Sequence, residues 1–121
     1  MKPGVGIDVS KQHLDLMIGE QSEHTRATNT VAGTRKLITL LRRQEHGTIV
    51  VESTGGYERR LVDALAKEGL PVAVVNPWRV RRFAEGLGEL AKTDPIDARV
   101  LARFAQSAKI TLRPIPGPRQ R

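Results

Sequence analysis

A chain of 121 residues, 39% of them hydrophobic, has the size of one domain and can bury a real core. Aromatics make up 3% and cysteine is absent, so the core must be mostly Val, Ile, Leu and Ala, and a disulfide scaffold or cysteine-based zinc or redox chemistry is excluded. The net charge of +7 is uneven: residues 1–75 hold ten Lys/Arg against nine Asp/Glu, residues 76–121 ten against four. A basic second half suits a polyanion partner, since Lys and Arg that neutralise phosphates release counterions, although a solvated basic face has the same composition. Met1-Lys2-Pro3-Gly4 opens without a signal-peptide pattern, and no apolar run approaches the roughly 20 residues of a membrane span. The expectation is a soluble intracellular protein.

Val5-Gly6-Ile7-Asp8-Val9 alternates as a strand does, with Val5, Ile7 and Val9 on one face and Gly6 and Asp8 on the other. Leu14, Leu16 and Ile18 repeat the alternation after a Lys11-Gln12 turn, which predicts a hairpin. Residues 23–28 give a weaker third strand. Asn29 or Thr30 caps a helix whose stripe is Val31, Leu37, Ile38 and Leu41 and which ends near Gly47. Thr48-Ile49-Val50-Val51 reads as a buried strand parallel to the first. A helix over 57–68 turns Leu61, Val62 and Leu65 inward and stops at Gly69, and Pro71–Val75 is a further buried strand. Pro77 suits the first turn of a third helix, broken at Gly86-Leu87-Gly88. A fourth starts at Thr93-Asp94-Pro95, with Ile96, Val100, Leu101, Phe104 and Ala108 buried. Residues 111–121 form a Pro-rich basic linker after a domain spanning 1–110, so the chain looks cut from something longer. The order predicts an α/β fold: a mixed sheet with flanking helices.

Four acids fit a structural role poorly when taken together. Asp8 lies inside a strand among apolar neighbours, where Asp is depleted and an unpaired carboxylate is costly. Glu52 ends a buried strand, where ligands of such sheets gather. Asp94 and Asp97 stand three apart at a helix start, and Asp97 shares the inward side with Leu101 and Phe104. Hard divalent ions take such carboxylate oxygens, and two ions about 4 Å apart can serve phosphodiester cleavage. Asp8 is then the acid to bridge them, with Glu52, Asp94 and Asp97 completing the shells. Each acid also has a plain reading: Asp8 paired with a buried Arg, Glu52 holding the turn at Ser53-Thr54, Asp94 as a helix cap, Asp97 completing a capping box. Lys11, Arg79, Arg81, Arg82 and Lys92 are candidate phosphate contacts, though an ordinary solvated face accounts for them equally well. Tyr57 and Trp78 either stack on bases or pack. Gly55-Gly56 resembles a phosphate-cradling turn but is more often just a turn. His13, His24 and His46 lack ligand spacing and read as surface or loop residues.

The segments Gly6-Ile7-Asp8-Val9-Ser10-Lys11, Val51-Glu52-Ser53-Thr54-Gly55-Gly56-Tyr57, Val75-Asn76-Pro77 and Ala91-Lys92-Thr93-Asp94-Pro95-Ile96-Asp97-Ala98 closely resemble the N-terminal domain of DEDD transposases of the insertion-sequence 110 family, to which pilin gene invertases are similar. The resemblance covers nearly the whole chain. It implies an RNase H-like (RuvC-like) fold in which Asp8, Glu52, Asp94 and Asp97 bind Mg2+ or Mn2+, two ions in all, for DNA strand cleavage and transfer. It further implies a cytoplasmic, nucleoid-associated enzyme, homo-oligomeric at full length and guided by an RNA. Those enzymes carry a coiled coil and a serine-bearing second domain beyond the region seen here, so the chain alone should lack full recombination. Two rivals stand beside this. Gly6–Ser10 faintly resembles the first phosphate loop of actin-like sugar kinases, which need a longer chain and a Gly at Ser10. The other is a non-catalytic nucleic-acid-binding or assembly module whose acids are structural.

Overall fold

The first three strands build an antiparallel meander: β1 (Val5–Val9), β2 (His13–Ile18) and β3 (His24–Thr28). The computed structural model describes residues 2–19, 24–91 and 93–107; the expected linker, Ala108 and Lys92 fall outside them. The meander turn is closed by Ser10, whose N–H donates to the His13 carbonyl at 2.9 Å. Thr30 caps α1 (Val31–Arg42) by accepting from the Gly33 N–H at 3.1 Å. This helix ends five residues before Gly47, and Val31, at its first turn, is 57% exposed instead of joining the stripe, which runs through Leu37 and Leu41.

β4 (Ile49–Glu52) returns beside β1, parallel as expected, and β5 (Val72–Val75) adds to it, again parallel. Between them α2 (Arg59–Lys67) buries Leu61, Val62 and Leu65, and Gly69 then takes a left-handed φ of +75° that suits glycine. The strand order is β3-β2-β1-β4-β5. This is the α/β, RNase H-like arrangement expected: a mixed sheet with helices on both faces. β5 is an edge, so it is not buried throughout; Val74 is 42% exposed there.

Strand alternation sorts the core into two layers. Val5, Ile7, Leu14, Leu16, Ile49 and Val51 face α1 and α2. The opposite face offers Gly6, Val50 and Val75 to α3 (Pro77–Gly86) and α4 (Ala98–Ser107), whose Val80, Leu101 and Phe104 fill that layer. Asn76 caps α3, and Pro77 is at its first position.

Two bare positions, Gly6 on β1 and Gly4 just before it, let α4 come close. A Cβ on Gly6 would stand 2.3 Å from the Ala102 nitrogen and 2.4 Å from the Ala98 oxygen. One on Gly4 would meet the Gln106 nitrogen at 2.6 Å. The helix thus lies directly on the strand that carries Asp8. It starts at Ala98, later than expected. Asp94 precedes a proline, which disfavours helical backbone there, and Asp97 takes the cap instead.

Candidate metal centre at the carboxyl ends of the first and fourth strands

β1 and β4 run parallel with Ile7 opposite Val51, so the next positions, Asp8 and Glu52, are lateral neighbours on one face. Across the other edge of β1, Asp8 is directly opposite Asp15. Asp97 completes the group from above: its Oδ1 accepts the Val100 N–H at 3.0 Å, which makes it the N-cap of α4. It is therefore exposed at the mouth of the site and does not point inward with Leu101 and Phe104, because a cap lies outside the helical turn. An open cleft of about 410 Å³ is lined by Asp8, Asp15, His24, Arg26, Asp97 and Arg99.

The electrostatics are those of crowded, half-buried acids. Burial pushes the Asp8 carboxyl above its ordinary pKa, the charges of Asp15 and Asp97 push it further, and Arg26 opposes them. Glu52 is raised by burial and by Asp8, against Arg81. The Asp8 carboxyl forms no hydrogen bond or ion pair with another described residue, so the buried-Arg reading falls. Arg26 instead grips Asp15, with Nε at 2.9 Å from Oδ1 and a terminal nitrogen at 3.3 Å from Oδ2. His24 Nε2 lies 3.0 Å from the same Oδ1, so His24 is not an idle surface residue. Burial alone would raise Asp15; these two partners outweigh it and lower the carboxyl.

Glu52 Oε2 is buried with no hydrogen-bond partner among the described residues. It does not hold the Ser53-Thr54 turn. Glu58 does, its Oε1 accepting from the Thr54 N–H at 3.0 Å, the Thr54 hydroxyl at 2.5 Å and the Gly56 N–H at 3.1 Å. Burial raises Glu58, but these bonds prevail and lower it. Two loop amides are thus already occupied, which removes the phosphate-cradle reading of Gly55-Gly56. Both glycines have positive φ, +83° and +129°, and serve the turn.

Asp94 is not drawn into the group. Its Oδ2 accepts the Ala91 N–H at 2.9 Å, and its carbonyl accepts from Arg81 at 2.7 Å. Arg81 also lies 3.6 Å from Glu85, and Arg79 stacks over Phe104 at 5.7 Å. Arg82 and Lys11 are exposed. Among the described residues, no three His, Cys, Asp or Glu side chains stand close enough to share one ion. The chemistry of the donors still suits a hard cation: a buried carboxylate oxygen with no hydrogen-bond partner among the described residues, beside a second carboxyl, both raised in pKa by burial and like charge that a bound cation would offset.

Asp15 is the residue that reading the sequence missed. Leu14-Asp15-Leu16 has the same oddity as Ile7-Asp8-Val9, and the short hairpin turn sets the two acids opposite one another. Tyr57 and Trp78 do not pack; they are 50% and 70% exposed.

Comparison with known proteins completes the picture. The family model described as transposase, of the insertion-sequence 110 type, matches residues 5–121. A pilin gene-inverting protein of Moraxella lacunata is 28% identical over 109 residues, covering 85% of this chain and 34% of the relative, and that of Moraxella bovis gives the same values. The mini-circle protein of Streptomyces coelicolor named as a transposase for IS117 is 33% identical over 123 residues, covering 92% of this chain and 28% of the relative. The chain thus spans about a third of the length of the curated relatives it matches.

Proposed function

The chain belongs to the insertion-sequence 110 family of transposases, and from this we propose that it is the metal-dependent nuclease domain of a DNA transposase or recombinase. The observation that carries the reading is the lateral pair Asp8 and Glu52 at the carboxyl ends of two parallel strands, with Glu52 Oε2 buried and unpartnered. Asp8 and Glu52 would hold Mg2+ or Mn2+, with Asp97 reaching the same cleft from the α4 cap. Asp94 would join after its carboxylate leaves the Ala91 N–H. A divalent pair bound there would supply charge to the attacked phosphate and to the leaving oxygen.

The chain's own residues have separate tasks. Arg26 and His24 keep Asp15 charged and occupied, so it enforces the negative field at Asp8 without competing for the ion. Arg81 faces Glu52 and tethers the Asp94 carbonyl, so it positions the loop that brings Asp94 and Asp97 over the sheet. The guide RNA and the homo-oligomer belong, in this reading, to the full-length enzyme.

Titration calorimetry with Mg2+ or Mn2+ on the chain and on Asp8→Ala tests the proposal. Binding that disappears in Asp8→Ala supports it. A second reading, a nucleic-acid-binding module with structural acids, draws on the absence of a ready three-acid cluster among the described residues. Ion binding that is equal in both proteins would favour it.

A further inference from the structure

The β1–β2 turn, the loop after β4 and the start of α2 enclose an open pocket of about 550 Å³. Its walls include Lys11, Asn29, Tyr57, Arg59, Arg60 and a single acid, Asp63. Lys11 comes three residues after Asp8, and Tyr57 five after Glu52. Both therefore leave the strand ends that carry the candidate metal ligands.

Asn29 ties the walls of the pocket together. The Asn29 side-chain amide donates to the Ser10 carbonyl at 2.9 Å and to the Tyr57 carbonyl at 3.0 Å, and the Asn29 carbonyl accepts from Arg60 at 2.9 Å. The hairpin turn, the loop after β4 and the start of α2 are thereby locked together. Among the described residues, the Lys11 and Arg59 side chains form no hydrogen bond or ion pair. Tyr57 presents half of its surface to solvent. Three cations and an uncovered aromatic ring around one concavity are the parts of a single-strand site: cations for backbone phosphate, the ring for a base that every sequence can supply.

We propose that this pocket binds the single DNA strand on one side of the phosphate to be cut, a backbone phosphate meeting Lys11 and Arg59 and an unpaired base stacking on Tyr57. The proposal rests on the nuclease reading for its choice of DNA. A strand held there runs across the sheet edge to Asp8 and Glu52, so the pocket sets the register of the cut.

The test is fluorescence anisotropy of a short labelled single-stranded deoxyribo-oligonucleotide with the full chain. Tyr57→Ala should weaken binding about tenfold, and Tyr57→Phe should keep it within about twofold. Arg59→Glu should lower the slope of log affinity against log salt by about one. Unchanged affinity in both Tyr57→Ala and Arg59→Glu, with melting temperatures equal to the parent, overturns the proposal. Equal competition by blunt duplex, whose bases cannot reach the ring, overturns it as well, and tighter competition by RNA of the same sequence overturns the assignment to DNA. Calorimetry keeps the two readings apart. Mg2+ binding retained in Tyr57→Ala alongside lost strand binding supports the pocket. Mg2+ binding retained in Asp8→Ala sinks the carboxylate site and leaves a Tyr57-dependent strand site standing.

Discussion

Replacing Glu52 by methionine should stabilise the metal-free chain. The Glu52 Oε2 atom is buried without a partner, and such an atom costs about 1–3 kcal/mol, which an apolar side chain of similar length recovers. Arg81, which faces Glu52, is not stranded by the change, because it keeps the Asp94 carbonyl and Glu85. A chain of 121 residues unfolds with an entropy of about 0.25 kcal/mol/K, so the gain amounts to about 4–12 °C in Tm. Differential scanning calorimetry in EDTA reads it directly. Added Mg2+ should then cancel or reverse that advantage: the parent rises by about 2.7 kcal/mol at a hundred times its Kd, while Glu52→Met gains little. A variant that melts at or below the parent in EDTA would refute the reasoning, since it would mean that the Glu52 carboxylate is already satisfied.

The pH dependence follows from the raised Asp8 and Glu52 carboxyls. A raised folded pKa means that the folded chain holds the proton more tightly, so the penalty is fully present above the folded values and fades as pH falls through them. In EDTA the Tm advantage of Asp8→Asn over the parent should therefore be largest at neutral pH and vanish in acid; a difference independent of pH would contradict this. Asp15→Asn removes the charge opposite Asp8 and releases Arg26, so carbon-detected NMR should find the Asp8 carboxyl titrating at lower pH, and an upward move would speak against the assignment. Gly6→Ala drives a methyl into the Ala98 and Ala102 backbone, which should cost about 3 kcal/mol in urea unfolding and also weaken Mg2+ binding by lifting Asp97; a loss of stability with intact metal affinity would show that the α4 cap is not part of the centre.

Most of the architecture is legible because each element carries its own period. The alternation in Val5–Val9 and Leu14–Ile18 sets the hairpin, and the apolar run at 49–51 and the glycine stop at 69 set the parallel units. The sequence singles out Asp8, Glu52, Asp94 and Asp97 together, but not their local roles. Spacing treats Asp94 and Asp97 as neighbours on one helix, whereas Pro95 and the capping preference of Asp97 shift the helix start by several residues and put the two in different surroundings. The turn at Thr54 chose Glu58 over Glu52 because a side chain from the following helix can fold back onto the loop amides, while one on a strand is committed to its face. Asp15 escaped notice because its significance lies in its partner across the hairpin, which only the register reveals. The exposure of Tyr57 and Trp78 is likewise a tertiary fact.

The close seat of α4 on β1 also bears on how the protein comes into being. Asp8 lies on β1, while Asp97 and the helix that seals Gly4 and Gly6 are made some ninety residues later. The Gly4 N–H donates to the Gln106 side chain, 2.6 Å away. Contacts so distant in sequence form late, after the loop between them has closed. The carboxylates are thus assembled only once synthesis has passed the last described helix, and an unfinished chain on the ribosome carries the acids without carrying a centre.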